Sequence, residues 1–243
     1  MLNRGGTLIA ETETVMSAGA MERMTMADGA EIGVYRVPPV GARRGGVIVV
    51  QEIFGVTDHI REVADSYAAE GYEVLAPALF DREEPGFEAD YSGTGFDRAI
   101  EIARKLHPFE QSLSDVQTCV DASAKNGAGP VFVVGYCYGG SIAWLAATRM
   151  HGVAAASGYY GGQVPATADE EPKIPVVLHF GRYDQSIPME GVDQVIAKAW
   201  PNATVYVYDA GHGFNSDRRK DYHEPSAELA RDRTLTLFRA NGG

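Results

Sequence analysis

The sequence predicts an α/β fold: a mostly parallel, twisted sheet of about eight strands with helices on both faces. Two observations predict it. Short apolar runs rich in valine and isoleucine alternate with segments of helical spacing through nearly the whole chain. Several of these runs are apolar throughout, as expected of strands buried on both faces of a parallel sheet. Such sheets have right-handed crossovers, and functional residues gather beyond the carboxyl ends of their strands.

The predicted strands follow from turn signals and apolar runs. Asp28-Gly29 stands between two alternating segments, which is typical of the turn in an antiparallel hairpin, here over 24–38. We expect this pair at the N-terminal edge of the sheet. Six further runs predict parallel strands, over 45–55, 72–80, 131–136, 153–161, 175–181 and 203–211.

Segments with apolar residues at helical spacing separate these strands. The first of them ends at Gly71, a common stop signal, and a loop rich in proline and glycine is predicted over 81–95. The predicted helices cover 59–71, 96–106, 113–127, 140–150, 189–200 and 225–241.

Length and composition fit one domain with a large core. The chain has 243 residues, of which 45% are hydrophobic, enough for a core of this size. Residues 1–22 have no long apolar stretch and carry acids early, so we expect a loosely ordered N-terminal extension and not a secretory signal. We expect a single domain over residues 23–243.

The charge balance disfavours two classes of partner. A formal net charge of −12 argues against nucleic acid and against anionic membrane surfaces, because both are bound by clustered lysine and arginine. No apolar run approaches the length of a membrane span, so the sequence predicts a cytoplasmic protein. We expect a monomer, with an oligomer as the open alternative.

The two cysteines, Cys119 and Cys137, could form a disulfide by count alone. A reduced pair fits a cytoplasmic chain better. No CxxC motif and no cysteine–histidine cluster has the spacing of a zinc site, so we expect no metal.

The strongest functional signal is the segment GYCYGG, in which Cys137 lies between glycines where the strand 131–136 meets the next helix. This is the G-x-nucleophile-x-G pattern of a strand-to-helix turn, with cysteine in place of the usual serine. The helix start near Gly140 favours thiolate over thiol through its dipole and free amides. The alternative is that Cys137 is a small buried hydrophobic residue, as free cysteines often are.

Two further polar residues, first an acid and then a histidine, come directly after later predicted strands. Asp184 stands in the turn after 175–181, and His212 lies between glycines after the last predicted strand. Alone, they could be a turn-forming acid and a surface histidine. Together with Cys137 they have the chain order of the α/β-hydrolase fold. We expect His212 to take the proton of Cys137, and Asp184 to orient the histidine ring.

Glu52 comes at the end of a buried strand, within the segment QEIFG. A buried acid needs a partner or a raised pKa, unless it points to solvent where the strand emerges. We expect Glu52 beside the thiol, where it can influence the protonation of Cys137. The backbone amides of Ile53 and Tyr138 would then form the oxyanion hole.

These segments resemble the dienelactone hydrolase family (the carboxymethylenebutenolidases) of the α/β-hydrolase fold. The similarity covers residues 25–240 and includes QEIFG, GYEVLAPALF, GYCYGG, GYYG, FGRYDQSIP and AGHGF in that family's order. The resemblance implies a triad of Cys137, His212 and Asp184. It implies that Glu52 switches the cysteine between resting thiol and attacking thiolate. It also implies hydrolysis of an enol-lactone to a dicarboxylic keto acid, with no metal or cofactor.

The segment after the histidine departs from that family. Its best-known members hold the substrate carboxylate with two arginines, one of them shortly after the histidine, where this chain has Asn215 and Ser216. Arg218 or Arg219 would have to substitute from a shifted loop.

For the second arginine the nearest candidate is Arg98, with Arg82 and Arg104 as alternatives. Solvated surface charge is the simpler explanation for all of these arginines. Aromatic side chains predict an apolar pocket, and our candidates for substrate contact are Tyr91, Phe54 and Tyr136, although most such aromatics are core.

The chain is therefore predicted to be a carboxylic-ester hydrolase that cleaves an enol-lactone through a thioester on Cys137. Its partner would be a small lactone or ester. Two alternatives stay open: a general carboxylesterase or thioesterase of the same fold, and a ligand-binding relative without turnover.

Overall fold

The computed structural model describes residues 19–243 and contains an eight-stranded sheet, which confirms the α/β prediction. The spatial order of the strands is β1-β2-β4-β3-β5-β6-β7-β8. They are β1 (Ala20–Thr25), β2 (Glu31–Val37), β3 (Gly45–Val50), β4 (Tyr72–Pro77), β5 (Val131–Tyr136), β6 (Ala155–Tyr159), β7 (Val176–Gly181) and β8 (Ala203–Tyr208).

The first two strands form the predicted antiparallel edge. β1 pairs with β2 and β2 with β4 in antiparallel register, and the remaining neighbours are parallel. Gly29 in the first turn has a φ of 86°, which glycine adopts without strain. Because β1 begins at Ala20, residues 20–22 of the predicted N-terminal extension belong to the sheet, and residues 1–18 lie outside the described part.

Within residues 19–243, six α-helices connect and follow the strands, and five of them begin one to four residues earlier than predicted. They are α1 (Asp58–Ala69), α2 (Gly93–Glu101), α3 (Phe109–Asn126), α4 (Tyr138–Arg149), α5 (Met189–Ala197) and α6 (Glu224–Ala240). Part of the predicted loop over 81–95 is thus helical. A π-helical turn (Ile102–Leu106) continues α2 and stops before Pro108, which restricts the residue ahead of it. Pro108 occupies the N-cap position of α3, which starts at Phe109 and not at the predicted position 113.

The strands β3 to β7 are buried along their whole length, as the continuous apolar runs predict. α3 and α4 contact each other on one face of the sheet. On the other face α6 contacts α1, where Arg231 donates to the Ser66 carbonyl oxygen, and its Phe238 stacks on Phe132 of β5 at 4.4 Å between ring centroids. This core fixes the carboxyl ends of β3, β5, β7 and β8 at one edge of the sheet. Within residues 19–243, no helix has both the length and the apolar character needed to cross a bilayer.

Candidate active site

Cys137 lies on a tight turn between β5 and α4. Its backbone angles, φ 55° and ψ −107°, are rare for a residue with a side chain and persist only where the surroundings enforce them. The Cys137 amide donates to the Tyr159 carbonyl oxygen at 2.9 Å. A Cβ on Gly135 or Gly139 would overlap neighbouring backbone atoms. The turn therefore holds the sulfur, half-buried, at the first turn of α4.

His212 and Asp184 form a hydrogen-bonded series with Cys137. His212 Nε2 is 3.2 Å from Cys137 Sγ, and His212 Nδ1 is 2.6 Å from Asp184 Oδ2. The other carboxylate oxygen, Asp184 Oδ1, accepts the amides of Ser186 at 2.7 Å and Ile187 at 3.1 Å. The structure thus brings the three predicted residues together, and the turn after β7 fixes the orientation of the acid.

The surroundings of His212 favour its protonated form. Burial by itself would lower its pKa, but the charge on Cys137 and the hydrogen bond to Asp184 outweigh burial and raise the pKa of His212 to about 10. Tyr160 packs against the imidazole, 5.1 Å between ring centroids. At neutral pH the ring can hold a proton beside the sulfur and deliver it to a leaving group.

The two amides predicted for the oxyanion hole belong to residues that line the same cavity as the sulfur. Ile53 follows β3, Tyr138 is the first residue of α4, and both line the same cavity as Cys137. Neither amide donates to another residue in the described part of the chain. The Gly139 amide donates to the Gln51 carbonyl oxygen at 3.0 Å and joins the two segments. Both amides are therefore available to an anionic oxygen.

Glu52 is buried, and its hydrogen bond goes to Arg219. Glu52 Oε1 accepts from Arg219 Nη1 at 3.0 Å, while Glu52 Oε2 is buried with no hydrogen-bond partner among residues 19–243. The Arg219 guanidinium lies over the rings of Phe54 and Tyr91, 5.8 and 5.7 Å from their centroids. Burial opposes the charge of Arg219, but Glu52 and Cys137 outweigh it and raise the pKa of this arginine. A cation is thus fixed close to the sulfur.

A cavity of about 310 Å³ opens at Cys137 and His212. Its lining combines apolar side chains, three of them from α2 and the π-helical turn, with polar groups that include Arg104 and Arg219. A small organic substrate with one ionised or polar end fits such a cavity. The remaining lining residues are Ile53, Phe54, Phe96, Ile100, Ala103, Arg104, Tyr138, Ser141, Gly162, Gln163, Ser186 and Arg219.

Arg98, the predicted carboxylate-binding residue, does not line the cavity. It forms ion pairs with Glu84 and Glu101 on the surface. Arg104 lies on the cavity wall instead. Ile100 and Arg104 are four residues apart and share one side of the helical segment, and Arg98 falls on another side. The spacing in the sequence separates the two arginines onto different sides but does not tell which side faces the cavity.

Of the aromatic candidates, only Phe54 lines the cavity. Tyr91 packs behind it, with 4.5 Å between the two ring centroids. Tyr136 is 2% exposed and packs against Tyr159 in the core. Tyr91 therefore supports the cavity wall, and Tyr136 has no access to a substrate.

The loop after β8 places its two arginines differently. Arg219 lines the cavity, whereas Arg218 pairs with Glu62 and Asp217 on the surface. His59 joins these two acids in a group with the geometry of a cation site. Because Arg218 already bridges both carboxylates, a metal ion would have to displace it.

Comparison with known proteins gives a consistent set of relatives. The profile of the dienelactone hydrolase family matches residues 32–242. A Salmonella typhimurium protein named "Putative carboxymethylenebutenolidase" is 37% identical over 214 residues, which cover 81% of this chain and 77% of that protein. A Synechocystis sp. protein of the same name is 37% identical over 229 residues, which cover 86% and 91%. The crystal structure of a "Putative Dienelactone Hydrolase" from Klebsiella pneumoniae matches with a TM-score of 0.78 at 31% identity, over 91% of this chain and 99% of that one.

Proposed function

The chain belongs to the dienelactone hydrolase family and is a hydrolase of ester and lactone bonds, and we propose that it opens an enol-lactone ring with Cys137 as the nucleophile. His212 is the general acid and base, and Asp184 orients its ring. The family predicted from the sequence is confirmed.

The observation that carries the proposal is the continuous series of hydrogen bonds from sulfur to carboxylate at a cavity. The contacts are 3.2 Å from Cys137 Sγ to His212 Nε2 and 2.6 Å from His212 Nδ1 to Asp184 Oδ2. A nucleophile next to a base that is itself oriented by a third group is the arrangement that acyl transfer requires. A cysteine that only fills space needs neither partner.

In the first half-reaction the Cys137 thiolate attacks the lactone carbonyl carbon. A C–S bond forms, and the carbonyl electron pair moves onto oxygen, where the Ile53 and Tyr138 amides bind the oxyanion. The loss of one such donor typically costs about 100- to 1,000-fold in rate. The oxyanion then collapses, the ring C–O bond breaks, and the leaving enolate oxygen takes the proton of His212. The acyl group remains on sulfur as a thioester.

In the second half-reaction water hydrolyses the thioester. Neutral His212 removes a proton from water as the water oxygen attacks the thioester carbonyl carbon. The C–S bond breaks, the acid leaves, and the thiolate and protonated imidazole are restored. The net reaction joins one lactone and one water into a keto acid, and its atoms balance without a metal or cofactor.

A lactone with an enol leaving group suits this site better than a simple alkyl ester. An enol is a better leaving group than an alkyl alcohol, and protonation by His212 lets the tetrahedral intermediate expel it in competition with the thiolate. An alkoxide leaves less readily, and the intermediate then returns to the starting ester. We therefore expect weak activity on simple alkyl esters.

A carboxylate on the substrate would be bound by Arg219 and Arg104, which both line the cavity. Arg219 is already paired with Glu52, so the substrate carboxylate competes with Glu52 for the same guanidinium. Glu52, once released, can take the proton of any Cys137 still in the thiol form. In this way substrate binding promotes attack.

A general carboxylesterase or thioesterase is the second candidate, and the same ion pair favours it. Because Glu52 offsets the charge of Arg219, the cavity attracts an anion less than two free arginines would. A panel of carboxylate-bearing lactones and neutral esters separates the two candidates. A preference for the neutral esters would support the second.

The location, the oligomeric state and the absence of macromolecular partners stay predictions. They are a cytoplasmic location, a monomeric state, and the absence of a nucleic acid or membrane partner. Of these, the net charge of −12 favours only the last.

The experiment that tests the nucleophile compares Cys137→Ala and Cys137→Ser with the wild type on an enol-lactone and on a p-nitrophenyl ester. Both variants should keep the fold and lose most of the rate. Cys119→Ala is the matched control, because Cys119 is the other free cysteine and is buried in α3, and it should remain active. A Cys137→Ala protein as fast as the wild type would overturn the proposal.

A further inference from the structure

A buried chain of hydrogen bonds leads away from Tyr138. Tyr138 Oη is 2.8 Å from Ser112 Oγ, Ser112 Oγ is 2.9 Å from His107 Nε2, and His107 Nδ1 is 2.9 Å from Glu83 Oε2. We propose that this chain is a positioning device, in which Glu83, His107 and Ser112 hold the Tyr138 amide in place for the oxyanion. The inference rests on the proposed function, which makes that amide an oxyanion donor.

The order of donors along the chain follows from its charged end. Because the Glu83 carboxylate accepts, His107 Nδ1 carries a hydrogen and donates. With a neutral ring, His107 Nε2 accepts from the Ser112 hydroxyl, whose oxygen in turn accepts from the Tyr138 hydroxyl. The Ser112 and His107 side chains are buried, and every polar side-chain atom of these two residues has a partner. A fully satisfied buried network is rigid.

The chain joins four separate segments at the oxyanion turn. Glu83 lies in the loop after β4, His107 follows the π-helical turn, Ser112 is in the first turn of α3, and Tyr138 begins α4. Because the far end of the Tyr138 side chain is fixed, its Cα and its amide have little freedom to shift. The sulfur and the amide are then held in one arrangement.

Aromatic contacts complete the restraint on the Tyr138 ring. Phe80 and Phe109 meet it edge-on, at 5.4 and 5.1 Å between ring centroids. The hydrogen bond of the Tyr138 hydroxyl and the two flanking phenylalanine rings together leave one orientation for the Tyr138 side chain. Apolar contacts alone would permit sliding, whereas the hydrogen bond to Ser112 fixes the ring along its long axis.

His107 also connects this chain to the cavity wall. Its amide donates to the Ile102 carbonyl oxygen at 2.9 Å and closes the π-helical turn, which presents Ala103 and Arg104 to the cavity. π-helical turns inside helices are frequent at functional sites. One residue therefore links the wall that contacts substrate to the turn that binds the oxyanion.

A purely structural role is the competing explanation, and a matched pair of variants separates the two. Ser112→Ala removes the central hydroxyl with little change in volume. Ser157→Ala is the control, because Ser157 is equally buried and its hydroxyl forms a hydrogen bond with Thr234 Oγ1 at 2.8 Å. Ser157 lies in β6 and takes no part in the hydrogen-bond chain from Tyr138 to Glu83. If the role is only structural, both variants lose similar stability and keep the same kcat.

The test measures kcat and KM on the enol-lactone and the p-nitrophenyl ester named above. It also measures the rate at which iodoacetamide alkylates Cys137. Ser112→Ala should lower kcat about tenfold, less than the loss of a whole donor, and leave KM nearly unchanged. Alkylation should keep its wild-type rate, because it forms no oxyanion. Ser157→Ala should keep both rates. Equal kcat in the two serine variants, or a parallel loss of alkylation, would overturn the inference.

Three further variants, one at Tyr138 and two at His107, distinguish the possible outcomes. Tyr138→Phe removes only the terminal hydroxyl and should show the same loss of kcat, so it serves if Ser112→Ala does not fold. His107→Gln can still donate to Glu83 and accept from Ser112, and it should recover part of the kcat that His107→Leu loses. If Cys137→Ala is active, the proposed function fails. If that variant is inactive while Ser112→Ala equals its control, only this inference fails.

Discussion

Arg219 Nη1 lies 3.0 Å from Glu52 Oε1, and this ion pair adjoins the cavity that opens at Cys137. Glu52 reaches it from the end of β3, and Arg219 from the loop between β8 and α6. The two side chains are 1% and 17% exposed. Removal of one partner would leave the other as an uncompensated buried charge and so lower the stability. Arg219 is also the residue that we propose to bind an anionic substrate.

Arg219→Gln should therefore affect two measurements. The free energy of unfolding should fall by about 3 kcal/mol, because Glu52 loses its partner. KM should rise more for a carboxylate-bearing lactone than for a neutral ester. Arg98→Gln is the control, since Arg98 forms only surface ion pairs, and it should change neither quantity. Equal effects of Arg219→Gln on both substrates would exclude Arg219 as an anion-binding residue.

The meeting of the three triad candidates could be predicted because each follows a buried strand. Cys137 comes after β5, Asp184 after β7 and His212 after β8. The parallel strands β5, β7 and β8 end at the same edge of the sheet, and there Cys137 and His212 meet although they are 75 residues apart. The sequence pattern alone therefore locates all three.

The residues around the substrate could not be located in the same way. Arg98 and Arg104 belong to one helical segment, and its rotation about its own axis, set by tertiary packing, decides which arginine lines the cavity. The hydrogen-bond chain from Tyr138 to Glu83 joins four segments, and no periodicity predicts which hydroxyl meets which imidazole. Local patterns specify elements, whereas contacts between elements depend on how they pack.

Gly139→Ala should destabilise the turn that holds the sulfur. An added Cβ would overlap the Val50 carbonyl oxygen and lie 2.7 Å from that of Gln51, so β3 and α4 would have to separate. We expect the free energy of unfolding to fall by about 3 kcal/mol in urea denaturation. Gly162→Ala has open space around its Cβ and should stay within about 0.5 kcal/mol of the wild type. Similar losses in the two variants would contradict the close approach.

The two cysteines should differ in their reaction with iodoacetamide at neutral pH. Cys119 is fully buried, and burial raises the pKa of its thiol to about 12. Cys137 is half-buried and opens onto the cavity. Mass spectrometry should find one label on the folded wild type, none on folded Cys137→Ala, and two on the unfolded wild type. Labelling of Cys119 in the folded protein would contradict its buried position on α3.

The raised pKa of His212 makes part of the stability depend on pH. From an ordinary value of 6.5 it rises to about 10 in the fold, because the charge on Cys137 and the hydrogen bond to Asp184 outweigh burial, which acts in the other direction. The folded protein binds this proton more tightly than the unfolded chain does. The contribution of His212 is therefore fully present below pH 6.5 and is lost as the pH rises through about 10. The stability difference between wild type and His212→Gln should shrink over this range, by at most about 1.4 kcal/mol per pH unit. Urea denaturation of both proteins across the range measures it, and a difference that stayed constant or grew would show that His212 is not protonated at neutral pH.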